Sequence, residues 1–355
     1  MPWTPQQLVQ AGYASLDYFM RNQPPVDQIN IAHPLLRLLE ANKVAFDGGK
    51  QYIVHQIYKT NDDNAQWFGS DDQVGYNNRK NLTQASFLWS NVHNGFSLTE
   101  EELLQNGISV TDDMSVTPTR EEVVQLSNIL KVNNMSLKEG HDAFLDYQLW
   151  LDGTQSTDAV PGIDALVSTT PTTGTVGGIN RATAGNEFWR NNVNTGISTA
   201  TAGVLTEAME QEWRKCTRYG GEQPNAILVG SKFLDAYRKD AKDTVDRQII
   251  IQGNGRTSPS MNAGVTGIFF KGVEVIWAPV LDQLAADFPG APVAWDKRAY
   301  FLNTKRLQLN PAKGQWKVPR QPPRVYDRYT HYSAMTSRFG MGITKPNTMS
   351  VLSIA

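Results

Sequence analysis

The chain has 355 residues, enough for two hydrophobic cores or for one core with long excursions. Lys+Arg of 33 against Asp+Glu of 35 leaves a formal net charge of -2, which argues against tight nucleic-acid binding through phosphate neutralisation and leaves room for loose or patchy contact. Charged residues make up 19% of the chain, below the roughly 25% of soluble domains, and Asn, Gln, Thr and Ser are frequent, a surface chemistry that suits protein contacts.

Up to about Asn42, short helical patterns (Leu35, Leu36, Leu38, Leu39) are mixed with Pro24-Pro25 and Pro34, which a long helix interior does not tolerate. Residues 1–43 therefore read as an arm packed along the body or along a neighbour. From Val44 to Tyr58 aromatic and β-branched residues alternate, Tyr52, Val54 and Ile57 among them, and a second strand pattern runs from Ala85 to Val92. The polar stretch Asn61 to Asn81 between them predicts an extended hairpin over about 44–95. Loops longer than ~12–15 residues are usually functional or disordered. Trp67, Phe68 and Tyr76 on this loop point to a contact with another protein surface, where large aromatics are favoured; the alternative is that they fold back on their own hairpin.

Thr119 and Glu122 stand at capping-box spacing behind Pro118, and Gly153 offers a helix stop. Between them Val123, Leu130, Leu137, Phe144 and Leu151 recur every seven residues, with Leu126 and Tyr147 on the same face. This predicts a helix from Thr119 to Asp152, ~50 Å long at ~1.5 Å per residue. Asn133-Asn134 and Gly140 leave open a bend or two shorter helices, since Gly costs about 1 kcal/mol against Ala in a helix interior. Ser, Asn, Gly and Asp at the second seam positions favour one side of a flat layer over a coiled coil.

After Gly153 the composition shifts to Ser, Thr and Gly as far as Gly185, which marks a subdomain boundary. An amphipathic helix from about Ser198 to Tyr219 carries Val204, Leu205, Ala208, Met209 and Trp213 on one face and ends at Gly220-Gly221. The buried strand Ala226–Val229 follows, then a helix capped by Ser231 with Phe233, Leu234 and Tyr237. Ile268–Phe270 and Val273–Trp277 flank Lys271-Gly272 as a hairpin or bent strand, and Tyr300 to Leu309 reads as one strand. Alternating Tyr, Met, Phe and Ile from Val325 to Ile354, interrupted by Gly340 and Gly342, predict long closing β-structure. The class is α+β.

Chemistry is sparse in this pattern. Cys216 is the single cysteine, which rules out an intrachain disulfide framework and a thiolate cluster, fits a reducing compartment, and reads as a buried helix thiol. The start Met1-Pro2-Trp3-Thr4-Pro5 lacks signal-peptide character and no apolar run nears ~18 residues, so synthesis in the cytoplasm and no membrane partner are expected. His33, His55, His93, His141 and His331 show no metal-ligand spacing. Asp62-Asp63, Asp71-Asp72 and Asp112-Asp113 read as solvated turn residues because none fits an alternating-ligand cation loop. Gly174-Thr175-Val176-Gly177-Gly178 lacks the Lys-Ser/Thr of a phosphate loop and joins no buried strand to a helix. With no nucleophile elbow or other catalytic signature, no enzyme, cofactor or metal is expected.

Gly174 to Thr183 (GTVGGINRAT), followed by Phe188-Trp189-Arg190-Asn191, resembles a segment of the major capsid proteins of tailed bacteriophages, and Gly162-Ile163-Asp164-Ala165-Leu166 upstream fits the same family. Three further blocks match in order: Ala208-Met209 to Cys216 leading to Pro224 and Ile227-Leu228-Val229, then Phe270-Lys271-Gly272-Val273-Glu274-Val275, then Tyr300-Phe301-Leu302-Asn303-Thr304-Lys305 with Leu307 and Leu309. The resemblance covers roughly Thr117 to the C terminus. It implies the Hong Kong-phage capsid fold, with an N-terminal arm at 1–43, an extended β-hairpin loop at 44–95, a peripheral domain with a long spine helix at 96–154, an axial domain at 155–320 and return strands at 321–355. It further implies hexamers and pentamers in an icosahedral virion head, scaffolding, portal and possibly decoration proteins as partners, and weak non-specific contact with packaged double-stranded DNA. Trp67, Phe68 and Tyr76 then become candidates for anchoring the hairpin to a neighbouring subunit. An encapsulin-like compartment shares the implied fold, and a carbohydrate-active enzyme or a secreted binding module are readings of other classes; no facing carboxylate pair and no export signal support the last two.

Overall fold

The computed structural model describes residues 31–47, 51–60, 65–76, 81–105, 120–244, 268–322 and 329–355. In chain order its elements begin with α1 (Pro34–Ala41), β1 (Tyr52–Tyr58), β2 (Leu82–Leu88), β3 (Ser90–Thr99), α2 (Glu100–Gln105) and α3 (Arg120–Trp150). The middle holds α4 (Ile163–Leu166), β4 (Thr175–Val176), β5 (Ile179–Asn180), β6 (Asn192–Ile197), α5 (Val204–Thr217), β7 (Ala226–Val229) and α6 (Ser231–Thr244). Then come β8 (Ile268–Phe270), β9 (Val273–Trp277), α7 (Pro279–Asp287), β10 (Arg298–Leu302), β11 (Leu307–Pro311), β12 (Val318–Arg320), β13 (Thr330–Ile343) and β14 (Ser350–Ile354). Among the described residues two compact units form, one from 91–145 and 312–338, the other from 32–90, 146–311 and 339–355. Pro24-Pro25, the Thr119 cap, Asp62-Asp63 and Asp112-Asp113 lie outside the described residues, as do the side chains of Glu122, Val123, Leu126 and Leu130.

The larger unit is organised by a mixed six-stranded sheet of order β6-β14-β10-β7-β9-β8. Its inner strands β7 and β10 are buried along their whole length, as continuous apolar runs covered on both faces must be. On one face α5 and α6 close a core in which Trp213 meets Phe270 and Phe301 edge-on at 5.8 and 6.0 Å, with Met209, Phe233 and Leu352 around them. Tyr300, which alternates with Phe301 along β10, lies instead 5.3 Å from the Trp150 ring. The β8–β9 turn has positive φ at both Lys271 (48°) and Gly272 (85°), the type I′ geometry that a right-twisted hairpin needs.

Three helix starts are capped from a distance. Asp146 of α3 accepts the Leu36 N–H of α1 at 2.9 Å; Asp240 of α6 accepts Gly203 and Thr206 N–H at the start of α5; and Asp282 of α7 accepts the Ser231 N–H at 3.1 Å. Ser231 is thus the first residue of α6, with its hydroxyl donated to Asp282, and is not the local cap its sequence position predicts. The helix expected from Ser198 starts at Val204 because Gly203 adopts φ 87°, which a helix cannot contain.

The smaller unit pairs β3 and β12 with the first half of β13. Thr99 and Glu102 form a reciprocal capping box at the start of α2, at 3.0 and 3.3 Å. Asn94 on β3 donates to the Leu137 carbonyl of α3, His141 shares a 2.8 Å bond with Ser337 of β13, and Lys317 pairs with Asp142 at 2.6 Å.

Several expected elements differ in extent. α3 is one uninterrupted helix of 31 residues, about 46 Å long, so neither Asn133-Asn134 nor Gly140 divides it. Its buried positions after Leu137 advance by four, to His141, Leu145 and Leu149, while Phe144, expected on the buried face, is 48% exposed. The seven-residue spacing fails here because an α-helix turns every 3.6 residues and the buried stripe rotates with what covers it. The strand expected from Val44 begins only at Tyr52; Val44 and Phe46 instead donate main-chain bonds to Leu309 and Pro311. The second hairpin strand ends at Leu88 and not Val92. Tyr300–Leu309 is two strands in different sheets, because Asn303 accepts the Lys305 N–H in an Asx turn that redirects the chain. The closing β-structure is likewise cut after Ile343, where Pro346 opens a short 3₁₀ turn ahead of β14.

Candidate assembly surface

β1 and β2 pair antiparallel with Tyr52 opposite Leu88 and Tyr58 opposite Leu82. Since side chains alternate along a strand, the pairing sorts them onto two faces. Ile53, Ile57, Ala85 and Phe87 are buried on the inner face, with His55 between the Phe46 and Phe87 rings at 6.1 and 6.0 Å. Burial there pushes the His55 imidazole below its ordinary pKa, so it is neutral at pH 7. The outer face shows Tyr52, Val54, Tyr58, Leu82 and Leu88, all exposed, together with Gln56, Gln84 and Ser86. Five large apolar side chains exposed on one sheet face are unusual on a free surface.

The loop beyond these strands carries the three aromatics singled out by sequence. Trp67, Phe68 and Tyr76 are 102%, 70% and 92% exposed, so none of them is folded back on the hairpin. The intervening turn is closed by Asp72, whose carboxylate accepts the Gly69 N–H at 2.6 Å. The Asp71-Asp72 pair accordingly has turn chemistry. Rings of this size bury roughly 150–250 Å² each when covered, a large reserve of contact area on one loop.

The Gly174–Asn191 segment packs beneath this hairpin. β4 and β5 meet at Gly177-Gly178, both at positive φ, and the Gly177 carbonyl accepts the Ser86 N–H of β2 at 2.9 Å. Arg181, 1% exposed, donates to the carbonyls of Trp189, Ala165 and Leu166 at 3.1, 3.0 and 2.6 Å. Burial brings its pKa down to about 10, which leaves it charged at neutral pH. Trp189 donates its indole N–H to Val176, and Arg190 donates twice to the Arg181 carbonyl. The glycine-rich run is therefore a tight hairpin braced by a buried cation, and its polar atoms bond within the segment, to β2 and to α4.

Perturbed titratable groups elsewhere have the same structural character. Arg298 stacks on Trp295 at 3.9 Å and donates to Asp164, to the Tyr300 hydroxyl and twice to the Val293 carbonyl. Burial raises the Asp164 carboxyl and the Tyr300 phenol, and the Arg298 guanidinium between them opposes both shifts, as in a structural ion-pair cluster. The buried Cys216 thiol is pushed up to about 12 by desolvation, out of the reactive range. Among the described residues no three His, Cys, Asp or Glu side chains converge as metal ligands, and no helix is long and apolar enough to cross a membrane. Sequence reasoning singled out the loop aromatics but missed the outer face of the hairpin. The alternation in Tyr52-Ile53-Val54-His55-Gln56-Ile57-Tyr58, apolar on both faces, was the signal for it.

No protein-family profile and no curated protein sequence matches the chain. Solved structures do. The capsid asymmetric unit of cyanophage A-1(L) superposes with a TM-score of 0.61 at 16% identity, covering 93% of this chain and 94% of that one. The capsid of a native GTA particle gives 0.55 at 11% identity with 96% and 98% covered, and the capsid of Myoviridae phage XM1 gives 0.51 at 11% with 94% and 95%. Each likeness spans nearly the full length of both chains, and together they establish that this chain has the Hong Kong-phage capsid fold.

Proposed function

We propose that the chain is the major capsid protein of a tailed bacteriophage, assembling into hexamers and pentamers of an icosahedral head around double-stranded DNA. The observation that carries this reading is the fold likeness to capsid subunits over nine-tenths or more of each chain compared. The hairpin supports it. An apolar outer face and three bare aromatics are unfavourable on a monomer and become favourable once a neighbouring copy covers them. Shell symmetry repeats each contact many times, so no single interface has to be strong.

On this reading residues 1–43 are the arm, 44–95 the extended loop, 96–154 the peripheral domain, 155–320 the axial domain and 321–355 the returning strands. Scaffolding and portal proteins are its partners, a decoration protein an optional one, and the virion its location. The net charge of -2 fits a shell that touches DNA loosely rather than one that grips phosphates. No catalytic step is assigned.

The test is negative-stain electron microscopy with light scattering on the chain expressed alone and together with the genes that neighbour its own. Capsomers, shells, tubes or curved sheets are expected. A compact monomer that persists under both conditions overturns the proposal.

A further inference from the structure

The inner face of the β1–β2 hairpin rests on three glycines that come from two other parts of the same unit. On β13 the alternation places Phe339, Met341 and Ile343, all buried, on one side, and leaves Gly340 and Gly342 on the side that meets the hairpin. A Cβ on Gly340 would stand 2.6 Å from Ile53 Cδ1 of β1 and 2.9 Å from the Leu88 carbonyl oxygen of β2. A Cβ on Gly342 would stand 3.1 Å from the Phe87 ring and 3.2 Å from His55 Nε2. The third glycine, Gly177 at the β4–β5 turn, approaches Ala85 Cβ and Phe87 Cζ so closely that its Cβ would fall 3.0 Å from each. Side chains at these places would hold the hairpin away, toward the ~10 Å spacing of ordinary face-to-face sheets.

We propose that Gly177, Gly340 and Gly342 form a seat that fixes the angle of the hairpin, so that this seat, more than the pairing of β1 with β2, sets where the Trp67–Tyr76 loop is presented. A two-stranded ribbon is marginal by itself and takes its orientation from what it packs on. The Ser86–Gly177 main-chain bond pins one strand at the seat, and the glycines otherwise meet the side chains of Ile53, His55, Ala85 and Phe87 and the Leu88 carbonyl. A strand of seven residues spans about 24 Å, so a tilt of ~10° at the seat carries its far end ~4 Å, enough to misplace an aromatic from a partner's pocket. Gly340 is the decisive position, because it touches both strands and one of its obstructing atoms is a backbone oxygen that cannot rotate away. Its φ is not in the left-handed region, so replacing it adds bulk without adding backbone strain.

What the loop contacts depends on the capsid reading, but the seat does not, and its test uses the full-length chain before assembly. Gly340→Ala is compared with Gly290→Ala, a glycine with open space around it, by peptide-resolved hydrogen exchange. Gly340→Ala is expected to speed exchange over 52–58 and 82–88 at least tenfold and to leave 226–229 and 298–302 within twofold, with Gly290→Ala unchanged throughout. Adding Ile53→Val, which deletes the nearest obstructing methyl, is expected to restore protection toward that of the parent chain. Unchanged exchange in the hairpin overturns the proposal, and so does equal loosening of hairpin and sheet that Ile53→Val does not reverse. Failure of the parent chain to assemble would bear on the capsid reading alone.

Discussion

The six-stranded sheet and the β1–β2 hairpin are made of similar residues and end in opposite states. In the sheet, Ile227, Val229, Phe301 and Leu352 lie in the core that α5 and α6 close, and Tyr300 packs on Trp150 of α3. In the hairpin, Ile53, Ile57, Ala85 and Phe87 are covered, while Tyr52, Val54, Tyr58, Leu82 and Leu88 one residue away are bare. β-propensity and hydrophobicity made both into strands. What differs is the second layer: α5 and α6 complete the sheet, and nothing among the described residues completes the hairpin's outer face. The same kind of apolar strand is thus closed by its own chain in the sheet and left half open in the hairpin, which is the difference the proposed shell contact would use.

The comparison breaks most severely inside the sheet. Phe301→Ala removes the ring between Trp213 and Phe270 and is expected to cost about 3–5 kcal/mol in a denaturant titration, through lost transfer energy and the cavity left behind. Arg181→Met comes next. It keeps the side-chain volume and strips the donors from three carbonyls, two of them in α4, with an expected loss of about 2–4 kcal/mol by the same measurement. If Arg181→Met is neutral, the bracing role assigned to the Gly174–Asn191 segment is wrong.

A smaller effect sharpens the comparison through pH. Burial alone lowers the pKa of His55. For His141 burial also lowers it, reinforced by Lys317 and His93 and opposed by Asp142. A histidine whose folded pKa lies below its unfolded value near 6.5 favours folding while neutral, so the contribution is complete above about pH 6.5 and is lost as pH falls from there through the folded pKa. Melting temperatures should therefore fall between pH 7.5 and 5.5, His55→Gln should flatten part of that slope, and His141→Gln another part. A slope that neither variant changes would assign the acid sensitivity to carboxylates.

The sequence announced these regions unequally, for physical reasons. Ala226–Val229 and the Lys271-Gly272 hairpin were legible because a buried run and a turn are local signals. The long helix was legible in extent, but its stripe was not: Phe144 was expected inside and Leu145 and Leu149 took its place, since burial depends on what lies opposite. Helix starts were misread at Ser231 and Val204 because their caps, Asp282 and Asp240, are distant in sequence. The split between Leu302 and Leu307 escaped for the opposite reason: Asn303 was a local turn signal set inside an otherwise convincing strand pattern. Gly340 and Gly342 were read as interruptions and turn out to be where the hairpin sits.

The smallest expected effect on the subunit is also the most telling for the loop. Trp67, Phe68 and Tyr76 are exposed, so replacing all three by alanine removes no buried contact and should leave unfolding free energy within about 0.5 kcal/mol of the parent. The same triple change deletes most of the apolar area the loop can offer a neighbour, so assembly followed by light scattering should be reduced or abolished while monomer melting is unaltered. Stability and assembly then separate, as they must if the aromatics serve contacts outside their own chain. Normal assembly by the triple variant would remove the loop from the interface and leave the outer face of β1 and β2 as the surface to test, with Tyr58→Lys and Leu88→Lys placing charge on it.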